Sequence, residues 1–197
     1  MRRWLHLLPN LISSIRILLI LPLAVAIAHR RFTLTLSLFA IAAASDAVDG
    51  LLAKRFGWQT EIGGMLDPIA DKLLLASVFV MHSLLGAVPP WLTMAVIARD
   101  CVIVLGAVSY RILLGPVAAR PTTISKLNTL CQVVYIVVVI GARVFAWPNA
   151  WQVALGALVF VTVCVSGLHY VLVYGRQAAA EARARQRLAR SGGSNPA

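Results

Sequence analysis

The stretch that decides the fold reads Asp46-Ala47-Val48-Asp49-Gly50-Leu51-Leu52-Ala53-Lys54, then eight residues, then Gly63-Gly64-Met65-Leu66-Asp67-Pro68-Ile69-Ala70-Asp71. It contains Asp46, Asp49, Asp67 and Asp71 in a chain of 197 residues with only 7 acids, and the sequence on both sides is apolar enough to enter a bilayer. A carboxylate at bilayer depth costs roughly 2.5–3.5 kcal/mol on insertion scales, so four uncompensated ones would cost about 10–14 kcal/mol. Cations must meet them.

The rest of the chain sets the surroundings. It is 60% hydrophobic and 13% charged, with mean hydropathy +0.84, where soluble domains carry about 25% charged residues. The expected class is an all-α integral membrane protein. Apolar runs over residues 9–28, 32–53, 60–85, 91–114, 122–145 and 152–174 predict six transmembrane helices. Residues 1–175 then form one transmembrane domain and residues 176–197 a basic cytoplasmic tail, where Arg183, Arg185, Arg187 and Arg190 face the single Glu181. That tail is expected to be a surface-lying helix with a frayed end.

The first run has a rival reading. Arg2 and Arg3 before an apolar segment, with Ala24, Ala26 and Ala28 spaced like a cleavage site, imitate a secretory signal. Asn10, Ser13, Ser14 and Arg16 interrupt that run at helical spacing, however, which suits a helix that lines a polar site. Residues 1–8, with Arg2, Arg3, Trp4 and His6, suit an interfacial lead-in.

A net charge of +11 would suggest nucleic acid in a soluble protein. Here the basic residues gather in loops and termini, where anionic membrane lipids and the positive-inside rule account for them, so nucleic acid is not an expected partner. Arg2, Arg3, Lys54, Arg55, Arg111, Arg120, Lys126, Arg176 and the tail arginines fall on one side, against Arg30, Arg31 and Arg143 on the other. Both termini and the aspartate turn are therefore expected to face the cytoplasm, from the inner (cytoplasmic) membrane. Cys101, Cys131 and Cys164 stand singly in apolar runs, without metal-binding or disulfide spacing.

On helices, Asp46 and Asp49 are three residues apart and Asp67 and Asp71 four, so each pair occupies one face a turn apart. Two divalent cations would balance four carboxylates, and oxygen-only donors favour a hard ion, Mg²⁺ or Mn²⁺. By helical rotation of about 100° per residue, Gly50 sits about 40° from Asp46 and Gly63 about 40° from Asp67. Glycine in a helix interior costs about 1 kcal/mol relative to alanine, so these positions suggest a bulky group against the backbone. Small residues also permit close helix packing, which remains the bland alternative for Gly63 and Gly64. An ion or proton transporter using the carboxylates as a relay is a more distant reading, since no inverted repeat is visible.

The same residues resemble the signature of the CDP-alcohol phosphatidyltransferases, Asp-x2-Asp-Gly-x2-Ala-Arg-x8-Gly-x3-Asp-x3-Asp, at seven of its eight fixed positions. Lys54 is the departure: it keeps the charge of the family arginine but not the bidentate fork. The resemblance implies metal-dependent transfer of a phosphatidyl group from CDP-diacylglycerol to an alcohol, with release of CMP. It implies Asp46, Asp49, Asp67 and Asp71 as metal ligands at the cytoplasmic side, with Asp71 also the general base. It places Gly50, Ala53, Lys54 and Gly63 beside the cytidine diphosphate, and implies a homodimer.

The acceptor follows from weaker similarities. Arg99-Asp100, the run from Ile124 to Thr129 with Gln132, and Tyr174-Gly175-Arg176 resemble the eukaryotic-type cardiolipin synthases, whose acceptor is phosphatidylglycerol. The phosphatidylglycerophosphate synthases, which use glycerol 3-phosphate, are similar in the same region. Either acceptor carries a phosphate, for which Arg99, Arg111, Arg120 and Lys126 are the candidate partners. Arg99 beside Asp100 also reads as a structural intramembrane pair, and Arg111 and Arg120 as topology charges.

Overall fold

The computed structural model describes the backbone of residues 8–56, 63–114 and 123–192, and the side chains of residues 15–45, 70–106, 108–109, 123–173 and 175. Six helices occupy this backbone, with no strand among the described residues: α1 Leu8–Ala28, α2 Phe32–Phe56, α3 Gly63–Leu84, α4 Pro90–Leu114, α5 Thr123–Phe145 and α6 Asn149–Gly192. The interfacial lead-in, the turn after Phe56 and the loop that carries Arg120 lie outside the described residues.

Each expected apolar run forms a helix. The largest difference is at the chain end, where α6 passes residue 175 without a break and continues to Gly192. The reason is compositional. From Gln177 to Arg190 the chain contains only Ala, Leu, Glu, Gln and Arg, the strongest helix formers, and neither Gly nor Pro.

The helices close a ring that does not follow chain order. α1 packs on α2 and α3, α3 on α4, α4 on α6, α6 on α5, and α5 back on α2. Within the ring, Leu23, Ile27, Phe39, Val78, Phe79, Leu92, Tyr135, Ile136 and Val159 form one core, with the Phe79 and Tyr135 rings stacked 5.9 Å apart. α1 therefore belongs to the packed domain, with Leu23, Ala26 and Ile27 buried at helical spacing.

The outside of the ring is apolar as well. Leu18 and Leu21 on α1 are each 72% exposed, and Met94, Leu105, Val153 and Leu168 are similarly bare. A water-facing helix would place polar groups there. α5 and residues 149–173 of α6 are long and apolar enough to cross a bilayer.

Two turns are closed by paired backbone bonds. After α3, the N–H of Ala87 donates to the His82 carbonyl at 2.8 Å and that of Gly86 to Ser83 at 3.0 Å, with Gly86 at φ +71°. After α1, Arg31 donates to Ala26 and Arg30 to Ile27, both at 2.9 Å. Arg30 thus holds the left-handed position, φ 54°, that glycine fills after α3. A side chain there is unfavourable by roughly 1 kcal/mol. Arg30→Gly is accordingly expected to stabilise the protein in lipid-free detergent by up to about 1 kcal/mol. Thermal denaturation of the two forms checks it, and a lower melting temperature for the glycine variant contradicts it.

Candidate active site

α2 and α3 are continuous through the four aspartates, so the one-face geometry of each pair holds for the backbone. The side chains of Asp46, Asp49 and Asp67, the surroundings of Gly50, Ala53, Lys54 and Gly63, and the side chains of Arg111, Arg120, Tyr174 and Arg176 lie outside the described residues. Of the four carboxylates, Asp71 is the described one.

Asp71 is met from α1. The Arg16 guanidinium donates through Nη1 to Asp71 Oδ1, an ion pair between segments 55 residues apart. The Arg16 side chain is only 4% exposed while that of Asp71 is 38% exposed. The cation is thus held from inside the ring and the carboxylate remains reachable by a substrate. The polar residues that interrupt α1 include the partner of a motif aspartate.

The next residue opens a second network. Lys72 Nζ donates to Asp100 Oδ1 at 2.5 Å, and Arg99 Nη1 donates to the same oxygen at 2.6 Å. Arg99 Nη2 then donates to Ser125 Oγ at 2.7 Å and to Ser166 Oγ at 2.5 Å. Four helices, α3, α4, α5 and α6, therefore meet through one guanidinium and one carboxylate. Acceptors thus meet both terminal nitrogens of this buried arginine, while its Nε has none among the described residues.

The polar start of α5 divides by direction. Asn128 and Gln132, four residues apart, are 0% and 1% exposed and point inward with Ser125, whereas Lys126 and Thr129 are exposed. Asn128 Oδ1 accepts from Thr162 of α6 at 2.9 Å. The amide nitrogens of Asn128 and Gln132 have no acceptor among the described residues. A buried NH2 group of this kind calls for water or a ligand oxygen nearby.

Of the sequence-level candidates, the structure thus places Asp71, Arg99 and Lys126. It turns Arg99 toward protein partners and Lys126 outward. Three participants escaped the sequence: Lys72, Ser166 and the role of Arg16 as the partner of Asp71. Lys72 had a signal, since it follows Asp71 directly. Ser166 had none beyond being a hydroxyl in an apolar run.

The donor set that the motif implies would suit a hard divalent cation, since it is made of carboxylates alone, in two pairs on two uninterrupted helices. Among the described residues no three His, Cys, Asp or Glu side chains gather, as expected where Asp71 is the described member of the set.

The CDP-alcohol phosphatidyltransferase model matches residues 6–174, which takes in α1 to α5 and α6 as far as residue 174, and the chain belongs to that family. Among curated relatives, it is 31% identical over 159 residues to human cardiolipin synthase (CMP-forming), covering 73% of this chain and 53% of that one. It is 30% identical over 188 residues to the rat protein of the same name, covering 86% of this chain and 62% of the relative. A Mycobacterium tuberculosis protein named "Probable phosphatidylglycerophosphate synthase" is 34% identical over 136 residues, covering 68% of this chain and 63% of its own length. The chain therefore spans between about half and two thirds of the length of these relatives.

Removing one partner of a buried ion pair costs about 3–5 kcal/mol, whereas replacing both with apolar groups costs far less. Asp100→Asn, which leaves Arg99 and Lys72 without a carboxylate, is expected to destabilise the protein by about that amount, and the double change Arg99→Met, Asp100→Leu by less. Thermal unfolding of the three forms in detergent decides it; a double variant weaker than the single one refutes the network.

Proposed function

We propose that this protein is a phospholipid-synthesising enzyme of the cytoplasmic membrane, crossing it six times with both termini and the aspartates on the cytoplasmic side. It transfers the phosphatidyl group of CDP-diacylglycerol to a glycerol-type alcohol and releases CMP. The acceptor is phosphatidylglycerol and the product cardiolipin; glycerol 3-phosphate, giving phosphatidylglycerophosphate, is the second reading. The names of the human and rat relatives favour the first, and that of the mycobacterial relative favours the second.

The observation that carries the reaction class is Asp71. It is the last aspartate of the family motif, fixed by a buried arginine from another helix and still more than a third exposed. Such a carboxylate is oriented, hydrogen-bonded and accessible, which are the requirements for taking a proton from an acceptor hydroxyl. Arg16 aims it. Lys72, through Asp100 and Arg99, holds the third turn of α3 against three other helices, which limits how far Asp71 can drift.

Asp46, Asp49, Asp67 and Asp71 would hold two Mg²⁺ or Mn²⁺ ions. Bound there, such ions supply charge neutralisation of the diphosphate and of the departing CMP. Gly50, Ala53 and Gly63 offer space beside the cytidine diphosphate, and Lys54 a point charge for a phosphate. Arg111, Arg120 and the exposed Lys126 are the cations for the acceptor's phosphate. Arg99 reaches that phosphate only by releasing Ser125 or Ser166. The reading includes a homodimer, as the resemblance implies.

Purified protein with Mg²⁺ or Mn²⁺ is expected to release CMP from CDP-diacylglycerol when an acceptor is present. Asp71→Asn should slow this by roughly 10²–10⁴-fold, the usual worth of a positioned base. Arg16→Gln should lower kcat by about tenfold or more, with KM for CDP-diacylglycerol little changed. Offering labelled CDP-diacylglycerol together with phosphatidylglycerol and glycerol 3-phosphate identifies the acceptor. CMP release that persists under chelation rules out the metal-dependent reaction.

A further inference from the structure

At the opposite end of the ring, two distant segments bring three arginines to one groove. Arg30 and Arg31, in the turn between α1 and α2, and Arg143, in the last turn of α5, line a groove of about 440 Å³ with Phe32, Leu34 and Val144. All three arginines are exposed. Ala28, where α1 ends just before Arg30, lies 12 residues along α1 from Arg16, and Arg143 lies 18 residues along α5 from Ser125. At a rise of 1.5 Å per residue these spans are about 18 and 27 Å, most of the thickness of the hydrocarbon layer, about 30 Å. The groove therefore sits at the interface across the bilayer from Asp71.

Among the described residues, no acid lines the groove with these arginines. The chain has no Asp or Glu within residues 17–45, 72–99 or 101–180, which include every residue of the groove. Three like charges at one spot repel one another, and each needs an anion from outside. Cations at the C-terminal ends of α1 and α5 do complement the helix dipoles. One residue per helix would serve that purpose, and it does not explain why Arg30 keeps a left-handed backbone position better suited to glycine.

The apolar half of the groove narrows the choice of anion. Phe32, Leu34 and Val144 line it. Leu34 and Ile41, seven residues apart on one face of α2, are 44% and 58% exposed and continue from it along the outside of the ring. Beside it, Phe145 stacks on Trp147 at 5.4 Å, an aromatic pair of the kind that marks the headgroup level. A soluble phosphate would use only the arginines. An anionic glycerophospholipid would use both halves, its phosphate between the guanidinium groups and its acyl chains along the exposed apolar side of α2.

We propose that this groove is a binding site for the phosphate of an anionic phospholipid in the leaflet opposite the aspartates, separate from the site of phosphatidyl transfer. Arginine recognises such a phosphate through paired N–H donors, so the site favours an anionic lipid over a zwitterionic one, whose own ammonium competes for the phosphate.

The test is native mass spectrometry of the full-length protein in detergent, titrated with phosphatidylglycerol, comparing wild type with the triple variants Arg30→Gln, Arg31→Gln, Arg143→Gln and Arg30→Lys, Arg31→Lys, Arg143→Lys. Wild type is expected to retain one more phosphatidylglycerol than the glutamine form. Affinity at that site should fall on the order of 100-fold in the glutamine form, because each basic residue near a lipid surface contributes severalfold. The lysine form should keep most of the binding. CMP release from CDP-diacylglycerol should continue in both forms, which shows them folded and separates this site from the transfer site. Equal lipid retention by wild type and glutamine form overturns the proposal. So does displacement of the extra lipid by millimolar inorganic phosphate, which would make the groove a site for free phosphate. If the glutamine form loses CMP release, the lysine form decides: release without the extra lipid also overturns it.

Discussion

A carboxylate lodged among apolar helices has to be met by a cation, and the arrangement of this protein follows from how that demand is satisfied. Asp71 takes Arg16 from α1, and Asp100 takes both Lys72 from α3 and its own neighbour Arg99. Arg99 in turn draws in the hydroxyls of Ser125 and Ser166. Each helix of the ring except α2 thus contributes a described side chain to one of these two polar networks, which adjoin at Asp71 and Lys72, and α2 carries Asp46 and Asp49. In a weakly screened interior such pairs are directional and costly to break, so they fix the register of the helices more sharply than apolar packing can.

The contrast with the rest of the ring is chemical. Phe79 stacks on Tyr135 in an apolar middle, and the outer faces of α1, α4 and α6 are bare leucine, valine and methionine. Packing of that kind tolerates small slides between helices. The proposed two-metal reaction would not, because a base and a donor phosphate must hold their separation. Concentrating the ion pairs at one end makes that end stiff and leaves the remainder free to adapt to lipid.

The two ends differ in how their charges are met. At the aspartate end, Asp71 and Asp100 are answered from within the protein by Arg16, Lys72 and Arg99. The far end holds Arg30, Arg31 and Arg143 with no acid in the surrounding sequence, which suits an added anion. The positive-inside rule accounts for there being few cations on that side but not for the three converging on one groove. Their convergence depends on α5 returning to the start of α2, a contact between segments more than 100 residues apart in the chain.

The sequence by itself determined the helices and the family motif that marks the chain. Apolar runs of about 20 residues leave little choice but helices, because backbone groups in lipid must bond within their own segment. The spacing of Asp46, Asp49, Asp67 and Asp71 sets one face per pair by the geometry of a single helix. What only the tertiary structure decided is which helix answers which. That Arg16 pairs with Asp71, that Lys72 shares Asp100 with Arg99, that Ser166 completes that arginine's fork, and that Arg143 joins Arg30 and Arg31 all depend on the ring order α2, α1, α3, α4, α6, α5. Periodicity reports the face a residue occupies on its own helix and carries no information about the neighbour that face will meet, because the partner is chosen by packing between segments far apart in the chain.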